Sequence, residues 1–279
     1  MTPFSLNIRG KLENFNRPAV MGILNLTPDS FSDGGRFDTL QKALLHTDQM
    51  IAEGAEIIDI GAYSSRPGAS DIEPSEETRR LVPILKAIRK EYPTAILSVD
   101  TFRAEVATAA LNEGADMIND ISAGNLDGEM IAAVAKWQCP YVAMHMNGTP
   151  KTMQDNLIEG TITKHVLAFF HDLMLKLNAS GVSDVIIDPG FGFGKSLKQN
   201  YELAADLSAL RPLSAPIMVG ISRKSLVNKV AGTRPETALN ASTALHMALL
   251  MKGADIIRTH DVGEAKECIE IYEAMHGQF

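Results

Sequence analysis

The hydrophobic positions of this chain fall into short continuous runs separated by longer stretches of helical periodicity. Eight such runs stand near Ala19–Asn25, Glu56–Gly61, Ala95–Asp100, Asp116–Ile121, Tyr141–His145, Asp184–Asp188, Ile217–Ile221 and Asp255–Thr259. Most lack period-two alternation, the pattern of parallel strands covered on both faces. Between them the period lengthens, most clearly in the i, i+3, i+4, i+7 stripe of Leu81, Ile84, Leu85 and Ile88. A recurring hexamer marks each passage from helix to strand: Glu53-Gly-Ala-Glu-Ile-Ile, Glu113-Gly-Ala-Asp-Met-Ile and Lys252-Gly-Ala-Asp-Ile-Ile. Ser180-Gly-Val-Ser-Asp-Val-Ile-Ile is a looser fourth copy. In each, a glycine stops a helix and an apolar run begins.

Eight strands alternating with helices over 279 residues predict an α/β protein, a (β/α)8 TIM barrel built as one domain over residues 1–279. An open doubly wound sheet is the architectural alternative. The segment Phe4–Pro18 is expected to form an N-terminal β-hairpin that caps the barrel bottom.

Composition narrows the partners. Hydrophobic residues make up 45% and charged residues 22%, the balance of a folded globular protein. A net charge of -8 argues against nucleic acid and anionic membrane as partners. The two cysteines, Cys139 and Cys268, have no metal-ligand spacing and fit a reducing compartment. The first residues show no basic region followed by an apolar core, and the apolar stretch Ala244–Met251 is too short to span a bilayer. A cytoplasmic location is expected.

Barrel chemistry sits at the C-terminal ends of the strands. The eight runs end in Asn25, Asp59, Asp100, Asn119, His145, Asp188, Ser222 with Arg223 and Lys224, and Arg258 with His260. Helix capping accounts for an isolated Asp or Asn at such a place. Polar groups at all eight ends, with Lys, Arg and His among them, point instead to a substrate site. Two loops add to it. Thr27–Arg36 is turn-rich around Phe31, and Ser64–Ser70 places Arg66 among hydroxyls and glycine, the usual equipment for holding phosphate oxygens. Asp188-Pro-Gly-Phe-Gly-Phe-Gly-Lys-Ser fits neither a P-loop nor a dinucleotide fingerprint, so neither ATP nor NAD is expected. Its glycines are expected to let backbone approach a flat ligand, with Phe191 or Phe193 packed on it. His165 and His171 lie on a helical pattern and are read as surface residues.

In chain order these motifs resemble the dihydropteroate synthase family. They are Met21-Gly-Ile-Leu-Asn-Leu-Thr-Pro-Asp-Ser-Phe-Ser-Asp-Gly-Gly, Ser64-Ser-Arg-Pro-Gly, Ser98-Val-Asp-Thr, Ile118-Asn-Asp-Ile, His145-Met, Asp188-Pro-Gly-Phe-Gly-Phe-Gly-Lys, Ser222-Arg-Lys-Ser and Arg258-Thr-His-Asp-Val. The resemblance implies a transferase of folate biosynthesis that joins a pterin diphosphate to p-aminobenzoate, the target of sulfonamides. It implies a pterin pocket of Asp100, Asn119, Asp188, Phe193, Gly220, Lys224 and Arg258, with Asp100, Lys224 and Arg258 also serving catalysis. It implies a diphosphate site of Asn25, Ser65, Arg66, Arg258 and His260, with Asn25 also a ligand of Mg²⁺. It implies a p-aminobenzoate site of Phe31, Pro67, Lys224 and Ser225, and a two-fold homodimer using the apolar segment Ala238–Met251. The family's second loop commonly reads Glu-Ser-Thr-Arg-Pro-Gly; here Tyr63 replaces the Glu, and Ser65 replaces the Thr while keeping its hydroxyl. A pterin-binding methyltransferase barrel and a non-catalytic pterin-binding protein are the competing functions. The first does not need a diphosphate site, and the complete set of polar strand ends argues against the second.

Overall fold

In the computed structural model the described residues are 3–26, 36–64, 71–148, 158 and 160–277. The chain opens with β1 (Phe4–Ile8) and β2 (Lys11–Phe15), paired antiparallel about an Arg9-Gly10 turn in which both residues have positive φ, 53° and 78°. That is the turn geometry whose twist matches a tight hairpin. Parallel strands follow: β3 (Ala19–Asn25), β4 (Ile57–Gly61), β5 (Ile96–Asp100), β6 (Met117–Asp120), β7 (Tyr141–Met144), β8 (Val185–Asp188), β9 (Met218–Val219) and β10 (Ile256–Thr259). The helices are α1 (Arg36–Ala52), α2 (Pro74–Glu91), α3 (Ala104–Asn112), α4 (Met130–Trp137), α5 (Ile162–Ala179), α6 (Leu197–Ala205), α7 (Ser225–Ala231), α8 (Leu239–Met251) and α9 (Val262–Met275). The α2 sequence shows why such a segment folds locally. Proline stands in its first turn with Glu76 and Glu77, Arg89 and Lys90 close its last turn, and Leu81, Ile84, Leu85 and Ile88 are buried.

The strand order is β8-β7-β6-β5-β4-β3-β10-β9. A parallel bridge between Ile187 and Ile217, with the Ile187 amide donating to Pro216 O at 2.9 Å, joins the two ends. The sheet is therefore a closed (β/α)8 barrel, and the open-sheet alternative falls. The seventh barrel strand is shorter than its apolar run. Beyond Val219 the chain turns at once, with Lys224 N bonded to Ile221 O at 3.1 Å and Arg223 at φ 58°.

The repeated hexamer does more than stop helices. Its acidic residue stands at the foot of each new strand and accepts a backbone N–H from the base of a neighbouring element. Glu56 takes Val20 N at 2.8 Å, Asp116 takes Leu97 N at 2.8 Å, and Asp255 takes Ile217 N at 2.8 Å. Asp184, from the looser copy, takes Asn7 N of the hairpin at 2.6 Å. Cations neutralise three of these carboxylates: Lys266 on Glu56 at 2.5 Å, Arg89 on Asp116 at 2.5 Å, and Arg211 bidentate on Asp255 at 2.8 and 2.7 Å. A carboxylate buried this way is stable only while paired. Asp255→Ala is expected to strand Arg211 and the Ile217 amide and to cost about 3–5 kcal/mol. Urea unfolding measures it; a loss within about 0.5 kcal/mol, the ordinary surface value, would show that the barrel base does not depend on this pair.

Alternate residues along each strand face inward. The lowest inward layer is apolar: Ala19 and Met21, then Ile57, Ile96, Met117, Val142, Ile186, Met218 and Ile256, closed from below by Leu6, Ile8 and Phe15 of the hairpin. The intervening residues, such as Val20, Ile58, Val99, Ile118 and Ile257, pack outward against the helices. The site therefore has a dry floor, and it can open only upward.

Candidate active site

Two residues above the apolar floor, the inward positions become Asp59, Ser98, Asn119, Met144, Asp188, Gly220 and Arg258. This layer is buried yet polar, and it holds itself together. Arg258 Nε donates to Asp59 Oδ2 at 2.6 Å, and Asn119 Nδ2 donates to the same oxygen at 2.9 Å. Arg258 Nη2 donates to Asp100 Oδ2 at 2.6 Å, one inward step higher on β5. Asp59 is fully buried, and its Oδ1 has no hydrogen-bond partner among the described residues. An orphaned carboxylate oxygen in a polar, buried layer marks a place where a ligand donor or water is wanted.

On the opposite wall Asp188 Oδ1 accepts the Gly190 amide at 2.8 Å. Burial pushes its carboxyl up, opposed by the nearby Lys224 charge. Lys224, at the entrance to α7, donates to Phe191 O at 2.8 Å and lies 4.6 Å from the Phe193 ring centroid. Burial lowers its ammonium to about 8, against the raising effect of Asp188. Burial lifts Asp100 to about 7, opposed first by Arg258. Arg258 itself stays charged, because Asp59 and Asp100 outweigh the cost of its burial. A Cβ at Gly220 would stand 3.9 Å from both Lys224 Nζ and Arg258 Cβ. The missing side chain there leaves room between two cations.

Asp100, Asn119, Asp188, Gly220, Lys224 and Arg258 are thus brought to one layer and its rim. Phe193 borders it, half-buried beneath the Lys224 ammonium. Asn25 ends β3, half-buried, with its backbone paired to Gly61. His260 stands half-buried just past β10, and Ser225 is exposed at the first turn of α7. Phe31, Ser65, Arg66 and Pro67 lie outside the described residues.

Several expectations change. Phe191 is fully buried in the outer core and does not face a ligand. The glycines of its motif serve a different approach: a Cβ at Gly190 would meet His145 O at 1.9 Å, and one at Gly194 would meet Asn147 O at 2.7 Å. Gly190 and Gly194 thus fit the loop against the exit of β7, while a Cβ at Gly192 would meet Lys224 at 3.5 Å. Not every strand-end polar group converges either. The buried His145 ring packs against Phe169 and His165, centroids 4.9 and 5.3 Å away, and burial drops its imidazole to about 2. Arg223 turns outward to pair with Asp261.

Two residues of the site carried no assigned role in the sequence. Asp59 lies two positions after the inward Ile57, so period two along β4 places it in the polar layer. Lys195 closes the glycine-rich motif, fully enclosed, donating to Gly190 O at 2.7 Å, Phe193 O at 3.2 Å and His145 O at 3.3 Å. Burial pulls its ammonium down to about 7. It fixes the loop that delivers Phe193 and receives Lys224. Among the described residues no group of three His, Cys, Asp or Glu side chains could hold a metal ion. Asn25 offers one amide oxygen, which suits a hard cation arriving with phosphate oxygens and not a resident ion.

A closed barrel with this buried charged layer at its mouth is built to take a small polar molecule. The chain belongs to the pterin-binding enzyme family, whose pattern matches residues 21–260. It is 41% identical over 266 residues to dihydropteroate synthase of Streptococcus pyogenes serotype M6, covering 94% of this chain and 97% of that protein. It is 43% identical over 287 residues to the mitochondrial folate synthesis bifunctional protein of Arabidopsis thaliana, covering 97% of this chain but 52% of that longer protein. The structure superposes on Yersinia pestis dihydropteroate synthase in a sulfonamide drug complex with a TM-score of 0.91 and 41% identity, covering 98% and 100% of the two chains. It also superposes on Xanthomonas albilineans dihydropteroate synthase in complex with 7,8-dihydropteroate, with a TM-score of 0.87, 34% identity and 98% coverage of both. Among the described residues no helix is long and apolar enough to cross a membrane.

Proposed function

We infer that the chain catalyses the dihydropteroate synthase reaction, joining 6-hydroxymethyl-7,8-dihydropterin diphosphate to p-aminobenzoate with release of diphosphate. The observation that carries this is the inward layer itself, in which Asp188 and Lys224 face Asn119 and the Asp100–Arg258 pair above a dry floor. The ligands named for the relatives support it. Asp188 accepts the adjacent N–H donors of the aminopyrimidinone edge, Lys224 donates to its carbonyl and ring-nitrogen side, and Asn119 and Asp100 meet the remaining heteroatoms. The exocyclic C–O bond breaks with its electron pair leaving on diphosphate, whose charge faces Arg258, His260, Asn25, Ser65 and Arg66. The cationic pterin methylene faces Asp100. The aniline nitrogen of p-aminobenzoate, held by Phe31, Pro67, Lys224 and Ser225, then attacks that carbon and gives up a proton to solvent. Preorganised charge opposite developing charge is the main catalytic term. Asn25 is the residue that would help hold Mg²⁺ brought in with the diphosphate, and the ion would supply positive charge to offset the leaving group. The deciding assay follows formation of 7,8-dihydropteroate from the pterin diphosphate and p-aminobenzoate; diphosphate release with no dihydropteroate formed overturns the synthase assignment.

The ionisations set a pH profile. Asp100 is an anion above about 7, and Lys224 is a cation below about 8. Both hold their working charge only between those values. The pH dependence of kcat/KM for the pterin diphosphate, which reports the free enzyme, is expected to be bell-shaped with a narrow maximum there. A profile flat through neutral pH would remove both groups from the rate.

Two further properties complete the proposal. Cys139 and Cys268 are both free and buried, in keeping with a reducing, cytoplasmic setting. Val230, Met251, Ile271 and Met275, on α7, α8 and α9, are each exposed, and we assign a homodimer contact to this group of helices. Sedimentation equilibrium at micromolar concentration tests it, and a monomer overturns it.

A further inference from the structure

The loop bearing Arg66 and Pro67 leaves the barrel at the end of β4 and returns at the start of α2. One side chain grips both of its ends. Arg103 stands at the N-cap position of α3, three residues beyond Asp100. Its guanidinium carbon lies 5.0 Å from the Tyr63 ring centroid, at the loop's departure, and 4.8 Å from that of Phe102. Its edge donates to Asp71 Oδ1 at 3.0 Å and to Ile72 O at 2.7 Å, at the loop's return. A third contact goes to Glu77 of α2, which is buried. Tyr63 meets Phe102 edge-to-face, centroids 5.1 Å apart. Burial and then Asp71, which also hydrogen-bonds the phenol, push the Tyr63 hydroxyl up.

This arrangement demands arginine. A planar guanidinium can stack on its face while its edge donates in several directions, and an ammonium cannot do both. The Arg103 side chain is only 13% exposed although two of its partners are loop residues. Ion pairs in that state of burial persist because removing one member strands the other.

We propose that Arg103 is a positioning residue for the reaction: it registers the second βα loop, through Tyr63 on one side and Asp71 and Ile72 on the other, against the strand that carries Asp100. On the synthase assignment that loop carries Arg66 and Pro67, so a tether on both of its ends fixes its register relative to the pterin pocket. The inference rests on the synthase assignment above.

The test compares Arg103→Met, Tyr63→Leu and the double variant Arg103→Met/Glu77→Gln, which removes the buried carboxylate that the single change would strand. In the folded double variant, KM for p-aminobenzoate is expected to rise about 10- to 100-fold, the cost of misplacing a reactant by an ångström. Affinity for 6-hydroxymethylpterin, which lacks the diphosphate, should be unchanged. Arg103→Lys should not restore KM. Hydrogen exchange of the 64–72 segment should quicken in the Arg103 variants while that of 96–101 does not. Tyr63→Leu should give a smaller change of the same kind. Unchanged exchange at 64–72 in the folded double variant overturns the proposal whatever the activity, and so does quickened exchange with an unchanged KM. A wild-type protein that makes no dihydropteroate would overturn the synthase assignment instead.

Discussion

Asp188→Ala is expected to weaken pterin binding by at least ~10-fold, and by more than the loss of one hydrogen bond. Charge-assisted bonds to a carboxylate are worth roughly 1.5–3 kcal/mol each, and each ~1.4 kcal/mol is a decade in affinity. The structure adds a second cost. Asp188 is the group that chiefly opposes the burial of Lys224 and holds its ammonium as high as about 8. Without it, the Lys224 pKa falls further, and the lysine loses charge at neutral pH. A third group is affected, because Asp188 Oδ1 holds the Gly190 amide at 2.8 Å and so anchors the loop that presents Phe193. Asp188→Asn separates these effects: an amide oxygen can still accept from Gly190 but carries no charge. Calorimetric titration with 6-hydroxymethylpterin should rank wild type above Asn and Asn above Ala. Unchanged affinity in a folded Ala variant would take Asp188 out of the pterin pocket.

The barrel was legible because its strands are buried on both faces and its helix stops repeat. Apolar runs with a common Gly-Ala-acidic junction leave few topologies open, and the eight runs became the eight strands with no end shifted by more than two residues. The reason for the acidic residue was not legible. Its partner is a backbone amide on a neighbouring strand, such as Val20 for Glu56, and no local pattern records that pairing. Within the site, residue type and place at a strand end identified Asp100, Asn119, Asp188, Lys224 and Arg258. Direction was lost. His145 and Asp188 both end apolar runs, yet His145 follows the inward Met144 and therefore turns outward against α5. Asp59 follows the outward Ile58 and turns inward. Period two supplies that distinction once the inward face is known, but continuous apolar runs hide which face is which. The Tyr63 departure illustrates the same limit. Its partners, Phe102 and Arg103, come from the next strand's exit, so only the folded chain shows that an aromatic face can anchor the loop where a carboxylate is commonly found.

Arg258→Ala is expected to be the most damaging single change in the mouth, because this guanidinium is already committed when substrate arrives. Its Nε and Nη2 hold Asp59 and Asp100, each at 2.6 Å, and Nη1 makes no hydrogen bond among the described residues. One nitrogen is thus left for a diphosphate oxygen, and the other two keep a fully buried carboxylate and its neighbour neutralised. Removing the side chain strands both acids, and breaking a buried pair costs about 3–5 kcal/mol of stability. The sign of the electrostatic effect is fixed. Arg258 is the first influence holding the Asp100 carboxyl down against burial, so its loss raises that pKa above about 7 and leaves Asp100 neutral at neutral pH. Turnover then fails twice, through the missing leaving-group cation and through the missing anion opposite the pterin methylene. Arg258→Lys divides the two, since one ammonium keeps a positive charge but cannot span both carboxylates. Three measurements decide the matter: urea stability, affinity for inorganic diphosphate with Mg²⁺, and the acid limb of the kcat/KM profile. Arg258→Lys should keep part of the diphosphate affinity while its acid limb moves to higher pH. Should both variants bind diphosphate as wild type does with the acid limb unmoved, Arg258 would be only a strut between Asp59 and Asp100, and the leaving group would have to be held elsewhere.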